Sequence, residues 1–558
     1  MVKKLFGFVG KEINGLHEAA YLLALFTIFA QLLSLVRDRL LAHHFGASAT
    51  LDVYYASFRL PDLIFIIVTT FVSAAVLIPI FSQTITDQEK FKKTINSVFT
   101  VFISLTLIVC LLTFIFTPFI LKIILPGITD PVYHKYLVDM TRILLLSPLF
   151  LGISQLLGGI VQAYRRFFIY AISPILYNVG VVVGIIFFYP KFGIYGLVYG
   201  VVLGVILHLI IQIPFIYSKK VLPKITFKID WQAVKSVIVL SFPRAMALAS
   251  SQITTLVLFS VSSTLAVGSI TIFGFANNLQ SVPLSIIGVS YSLAAFPTLS
   301  RLYASGKKDE FLGQLANAAK HIIFWSLPAT VLFIVLRAQI VRTILGSGEF
   351  SWNDTRLTAA ALALFTLSLL AQSLTLLFVR GYYAAGKTIK PVMYSIFSTV
   401  MTILLVFGLI KWYQVDETLK FFFDGILRVA NLPGTEILVL PFAFSLGMIL
   451  NATILWVSFE KEFGSITSYI KRPFFHSLTA SLITGYFAYS GLQIFERFFD
   501  LNTSLGIFAQ GFFSGILGLF FGLITLIIIG NGEVKEVWKT FSSKIWKVKP
   551  IVSGQEEL

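Results

Sequence analysis

The chain has 558 residues, of which 57% are apolar and only 12% charged, about half the charged fraction of an ordinary soluble domain. That composition excludes a soluble globular enzyme and points to a polytopic membrane protein. The formal charge of +17 invites a nucleic-acid reading, but with the N-terminus in the cytoplasm most Lys and Arg fall in cytoplasmic loops and tails, so the charge reports topology and no nucleic-acid partner is expected.

Residues 1–18 carry basic side chains without a long apolar core or a small-residue cleavage site, and read as an uncleaved interfacial segment. Apolar stretches then recur at 19–41, 58–81, 95–125, 143–162, 169–188, 194–217, 237–267, 270–299, 322–344, 357–379, 392–409, 437–457, 478–495 and 505–529. Each is near the ~20 residues that a bilayer core takes, which makes about fourteen spans. Strand-type alternation is absent over these lengths. The spans are therefore helices, since only helices or closed barrels satisfy their backbones in lipid, and both termini are expected in the cytoplasm.

Two internal matches share one spacing. "IPIFSQ" (78–83) resembles "FPTLSR" (296–301), aligning Pro79 with Pro297, and "SPILYN" (173–178) resembles "KPVMYS" (390–395), aligning Pro174 with Pro391 and Tyr177 with Tyr394. Concordant shifts of six spans imply a duplicated six-helix unit in parallel orientation, with a pseudo-twofold along the membrane normal and a cleft between lobes. The expected organisation is an N-lobe at 19–217, a basic cytoplasmic linker at 218–236, a C-lobe at 237–460, a C-terminal helix pair at 461–530 and a basic cytoplasmic tail at 531–558. The densest basic runs, "KKVLPKITFK" (219–228) and "KEVWKTFSSKIWKVK" (535–549), suit anionic membrane lipids.

"RGYYAAGKTIKPV" (380–392) contains the phosphate-loop pattern G-x-x-x-x-G-K-[ST] at Gly381, Gly386, Lys387 and Thr388. A phosphate loop needs a strand before it and a soluble sheet around it. This one follows an apolar helix-length span, so it reads as a short cytoplasmic turn shaped by both glycines. The single Cys110 allows no internal disulfide or thiolate metal site. His208 is alone on an apolar helix and reads as structural, no His, Cys or acid cluster has metal spacing, and no catalytic triad is in evidence. Neither a cofactor nor an enzymatic activity is expected.

Ionisable groups inside spans are costly and tend to face a cavity. The richest set is "SLVRDRLLAHHFGASATLDVYYASFRLPDL" (34–63). Gly46 suits the C-terminal cap of the first helix, Asp52 can cap the next, Pro61 should kink the second span, and Arg59 and Asp62 share a face at i, i+3. Arg37 and Arg59 are the candidates to face the cleft and bind an anion, since the planar guanidinium donates paired hydrogen bonds to phosphate. Thinner candidates are Arg244 in the seventh span and the amides Asn277 and Asn278 in the eighth. In the outer segment 415–436, the spacing of Leu419, Phe423, Ile426 and Leu427 predicts an interfacial amphipathic helix.

Together with "GGIVQAYRRFFIYAISPILYN" (158–178), "SSQITTLVLF" (250–259) and "RGYYAAGKTIKPV", the string from Leu35 to Leu63 resembles the MurJ/MviN family of lipid II flippases, within the multidrug/oligosaccharidyl-lipid/polysaccharide exporter superfamily. The resemblance runs over roughly residues 20–530. It implies fourteen spans, and export of an undecaprenyl-pyrophosphate-linked peptidoglycan precursor by alternating access across a bacterial inner membrane. It also implies substrate contacts at Arg37, Asp38, Asp52 and Arg59, with other cell-wall synthesis proteins as further partners; Gln252, Asn277 and Asn278 complete the candidate substrate-binding set. Three cavity arginines of the family pattern are replaced here by Gln31, Phe65 and Asn278, and the acidic–glycine pair of the second span by Thr70 and Phe71. Two alternatives stay open: export of another polyprenyl-linked glycan or a cation-coupled small molecule, and a non-transporting scaffold for envelope synthesis.

Overall fold

In the computed structural model the described residues are 16–69, 87–164, 166–430 and 432–537. Outside them lie most of the N-terminal interfacial segment, Thr70 and Phe71, the IPIFSQ half of the first repeat match and the tail from 538, as do the side chains of Arg244 and Leu419.

Every regular element among these residues is helical. In chain order the longer ones are α1 (Leu16–Phe45), α2 (Ala49–Ser57), α3 (Arg59–Thr69), α4 (Gln88–Ile124), α5 (Pro131–Leu144), α6 (Leu146–Ala163), α7 (Phe167–Val183), α8 (Tyr195–Ile210), α9 (Trp231–Ser263) and α10 (Ser269–Leu284). There follow α11 (Ser290–Ala304), α12 (Lys308–Val335), α13 (Arg337–Leu345), α14 (Trp352–Thr366), α15 (Leu369–Ala384), α16 (Ile389–Val415), α17 (Glu417–Leu427), α18 (Val439–Phe463), α19 (Thr467–Phe495) and α20 (Ser504–Ile528). Ten helical stretches are long and apolar enough to cross a membrane, or eleven if the bent pair α14 and α15 counts as one.

The sequence predicts about fourteen, and the three outside this set are the first, second and thirteenth. The second runs into 70–86, beyond the described residues, and the early side chains of α1 are also outside them. α19 is 29 residues long but diluted by Ser, Thr, Gly and Tyr.

The chain divides into two compact units. The first comprises Met1–Val282, Val341–Phe365 and Lys387–Asn451, and the second Pro283–Ile340, Thr366–Gly386 and Ala452–Leu558. Within the first, connections of one predicted side gather at one end. Phe45 packs edge-on against Tyr189 at 4.8 Å, and the Gly127 amide donates to Ser263 Oγ at 3.2 Å. Connections of the other side gather at the opposite end, where the amides of Lys224, Thr226 and Asp230 donate to the side chains of Asn96, Thr100 and Ser97. The basic run is thus laced along α4, whose 37 residues make about 55 Å at 1.5 Å per residue.

Local chemistry sets the breaks. α1 ends at Gly46, whose φ of +56° is the left-handed cap conformation that glycine adopts without strain. Pro61 has no amide hydrogen and its ring crowds the carbonyl four residues back, so the helix is interrupted at Phe58, between α2 and α3. The orphaned Ser57 carbonyl instead accepts the Thr141 hydroxyl at 3.4 Å.

α7 and α8 approach closely where Gly180 faces Gly204, and a Cβ on Gly204 would collide with the backbone carbonyl of Tyr177. Gly204→Val is expected to cost ~1–3 kcal/mol by overpacking. It should lower the thermal midpoint in detergent by several degrees. An unchanged midpoint would show that the two backbones need not meet.

In the second unit α19 and α20 pair through small residues, Gly518 and Gly522 lying against Thr484, a small-residue contact common between membrane helices. The phosphate-loop string falls at the end of α15, so a helix and not a strand precedes it. Gly386 turns the chain with φ +73°. Gly381, expected in that turn, is instead helical and packs against Leu315 and Phe459.

α17 is a helix, capped by Asp416, whose carboxylate accepts the amide and hydroxyl of Thr418. These bonds hold the exposed Asp416 carboxyl below the usual carboxylate range. The expected interfacial face is only partly present. Phe423 and Leu427 are buried, with Phe423 against Tyr413 and Phe442, whereas Ile426 and Phe421 are exposed. The buried pair serves protein packing because α16 and the segment before α18 lie beneath it.

Candidate functional site

Consecutive residues on a helix point about 100° apart, so Arg37, Asp38 and Arg39 cannot all face one partner. Arg39 reaches the C-terminus of α13, where Nη1 donates to the Thr343 carbonyl at 2.5 Å and a cation neutralises the negative end of the helix dipole. Arg37 and Asp38 face inward. Arg37 Nε and Nη2 both donate to Asp38 Oδ1, at 2.9 and 2.8 Å, and Nη1 donates to Asn178 Oδ1 on α7 at 3.4 Å. Asn178 is aimed by donating its own amide to the Pro174 carbonyl at 3.1 Å.

The other carboxylate oxygen of Asp38 accepts Asn278 Nδ2, from α10, at 3.1 Å. Asp38 is fully buried, while the Arg37 side chain stays 18% exposed. Its terminal nitrogens each retain an N–H with no acceptor among the described residues. Asp38 thus receives a neutral amide from Asn278, and Arg37 is its charged partner.

Arg59 opens α3. Its Nε donates to the Tyr55 carbonyl at 3.1 Å, and Nη2 lies 4.0 Å from Asp62 at i, i+3. The guanidinium carbon sits 3.8 Å from the centroid of the Phe259 ring on α9, a cation–π stack that fixes the plane of the fork. Among the described residues Nε alone makes a hydrogen bond, which leaves the terminal nitrogens, with Asp62 4.0 Å from Nη2, able to donate to a further acceptor. Gln252 is half-buried on the same face of α9, two turns before Phe259. Asn277 is half-buried beside Asn278 and makes no side-chain hydrogen bond to the described residues. Gln31 and Phe65, at the other two substituted arginine positions, are half-buried on α1 and α3.

Asp52 does something the local reading misses. It does not cap its own helix α2, whose N-cap Ser48 makes no side-chain cap bond. It caps α10: one oxygen accepts the Gly268 amide at 2.6 Å, the other the amide and hydroxyl of Thr271 at 2.8 and 2.7 Å. A carboxylate at a helix N-terminus satisfies orphan amides and the positive end of the dipole.

His208 faces Ser154 Oγ at 2.7 Å from its Nδ1, and Gln212 donates to the same hydroxyl. Among the described residues no group of three or more His, Cys, Asp and Glu could hold a metal. Asn178, Thr271 and Phe259 are the members of the site that sequence reasoning did not single out. Asn178 and Phe259 lay in strings already quoted, SPILYN and SSQITTLVLF, but nothing local to either string names its partner.

Apolar helices of bilayer length around a buried, hydrogen-bonded arginine network define a multi-pass membrane protein of the transporter class. The family profile described as lipid II flippase MurJ matches residues 41–510. Relatives include the probable lipid II flippase MurJ of Rickettsia prowazekii (strain Madrid E), 29% identical over 393 residues, covering 69% of this chain and 76% of that one. The probable lipid II flippase MurJ of Thermotoga maritima (strain ATCC 43589 / DSM 3109 / JCM 10099 / NBRC 100826 / MSB8) is 28% identical over 368 residues, covering 65% and 73%.

Among solved structures, a lipid II flippase MurJ in an inward closed conformation superposes with a TM-score of 0.71 at 22% identity, covering 94% of this chain and 100% of that one. An inward-facing multidrug resistance MATE family transporter of the MOP superfamily gives 0.63 at 15% identity, covering 79% and 96%. The chain belongs to the MurJ family of lipid II flippases, and is a multi-pass protein of the inner membrane.

Proposed function

We propose that this chain moves lipid II, a lipid-linked pyrophosphate glycan precursor, across the bacterial inner membrane by alternating access, and that it catalyses no reaction. The observation that carries the anion role is the pair of incompletely used guanidiniums: Arg37, held by Asp38 along its Nε–Nη2 edge and by Asn178 at Nη1, and Arg59, laid flat on Phe259. Each presents N–H groups in a fixed plane, which is what a pyrophosphate oxygen requires. Asp38 and Asn278 hold Arg37, and Asp52 holds α10 beside them. Asn277 and Gln252 supply amide hydrogen bonds to the glycan or peptide.

In this reading the lobes at 19–217 and 237–460 move about the site, both termini are cytoplasmic, and Lys219, Lys220, Lys224 and Lys228 meet anionic headgroups. Contacts with other cell-wall synthesis proteins belong to the same proposal. The replacement of family arginines by Gln31, Phe65 and Asn278 favours a second reading, in which the cargo is a less highly charged polyprenyl-linked glycan.

A direct test compares binding of lipid II, undecaprenyl phosphate and simple cations to the purified protein in nanodiscs. Saturable binding of lipid II above undecaprenyl phosphate is expected. Preference for undecaprenyl phosphate or for cations would reject the assigned cargo.

A further inference from the structure

Away from the arginine network, a cleft of about 660 Å³ opens at the end of the first unit where Phe45 meets Tyr189. It is lined by Asp130, Val132, Tyr133, Tyr136, Tyr189 and Gly193 among others. Tyr133 and Tyr136 stand one turn apart on α5 and so share a face. Pro131 and Asp130 begin that helix, Asp130 Oδ1 accepting the amides of Val132 at 2.8 Å and Tyr133 at 3.1 Å. Oδ2 of Asp130 has no partner among the described residues.

Two of the three rings are braced. Tyr189 is held edge-on by Phe45 at 4.8 Å and His44 at 6.4 Å, and Tyr136 by Tyr195 at 5.5 Å, whose hydroxyl donates to Asp139 at 3.0 Å. The hydroxyls of Tyr133, Tyr136 and Tyr189 nevertheless bond to nothing among the described residues. At Gly193 an added Cβ would meet nothing within 4 Å, so the cleft is open on that side.

Rigid aromatic faces, unsatisfied hydroxyls and a carboxylate oxygen open to donors are complementary to a saccharide, whose C–H faces stack on rings while its hydroxyls hydrogen-bond around them. Charge argues the same way. Asp130 carries the one charge of the lining, which holds no cation to select a phosphate. Val132, Pro190 and Ile194 interleave with the hydroxyls and the carboxylate, a mixed lining that suits the alternating C–H and hydroxyl faces of a sugar better than a wholly apolar acyl chain. The volume falls within the ~300–1,000 Å³ of small-ligand pockets.

We propose that this cleft is a saccharide subsite which receives the glycan of the cargo at the outer end of the transport path. The identity of that glycan rests on the flippase reading, whereas sugar binding by the cleft does not. The proposed topology puts the 44–50, 130–136 and 189–194 connections outside, opposite the laced basic run.

The test is saturation-transfer NMR with N,N′-diacetylchitobiose on the purified full-length protein in nanodiscs, with lipid II transport measured in parallel in proteoliposomes. Saturation transfer to the sugar ring protons is expected. Tyr133→Ala/Tyr136→Ala should weaken the sugar by about tenfold or more, which is ~1.4 kcal/mol. Tyr133→Phe keeps the ring and should retain most of the signal. No transfer to the wild type, or equal transfer to the double variant, overturns the proposal. A photocrosslinker at 132 that captures polypeptide in cells, with no sugar binding in vitro, makes the cleft a protein interface and also overturns it. Sugar binding without lipid II transport supports the saccharide site and overturns the cargo assignment alone.

Discussion

Replacing Arg37 is expected to abolish growth support in a strain depleted of its own lipid II flippase, at matched membrane levels of the protein. The experiment has to separate binding from folding. Arg37→Ala leaves Asp38 buried with only the Asn278 amide as partner, and breaking one side of a buried ion pair costs ~3–5 kcal/mol. The alanine variant therefore loses protein as well as function. Arg37→Met/Asp38→Asn removes both charges at similar volume, which is often neutral for stability. This double variant should accumulate normally and still fail to support growth.

Arg59→Ala is the cleaner single change. Asp62 is 43% exposed and tolerates the loss of its distant partner, so the fold should persist while growth support falls sharply. Arg59→Lys keeps the charge but gives up the planar fork stacked on Phe259, and should restore function only in part. Growth equal to the parent with Arg37→Met, Asp38→Asn and Arg59→Ala combined would sink the anion-binding role.

Asp52→Ala should be strongly destabilising. It removes acceptors from the amides of Gly268 and Thr271 and from the Thr271 hydroxyl in a buried setting. Charge-assisted bonds are worth ~1.5–3 kcal/mol each, and a lost helix cap ~1–2 kcal/mol, with strong overlap between the two. A net loss of about 3 kcal/mol or more is expected. The thermal midpoint in detergent should drop, and the connection at 264–268 should become sensitive to protease before the rest of the chain. Asp52→Asn keeps an acceptor oxygen without the charge and should fall between the two. A Asp52→Ala protein as stable as the parent would mean that α10 does not depend on this cap.

The sequence by itself determined the features whose causes lie within a turn or two of chain. Bilayer-length apolar runs require helices. Gly46 supplies the left-handed cap of α1, Pro61 forces the break at Phe58, and Arg59 reaches Asp62 because i and i+3 are neighbours on any helix. The candidate arginines were legible for a similar reason, since a charge inside an apolar span signals cost wherever its partner is.

Only the tertiary structure decided which partners meet. Asp52 had an orphan helix start within reach in sequence, yet it caps the one that begins with Ser269. Arg37 takes Asn178, Arg59 takes Phe259, and Asp38 takes Asn278. A carboxylate matches any unsatisfied helix N-terminus and a guanidinium any ring or amide, so residue type names the kind of contact. Which of many chemically equivalent partners is chosen depends on how helices far apart in the chain pack, and that is written in no local period of the sequence.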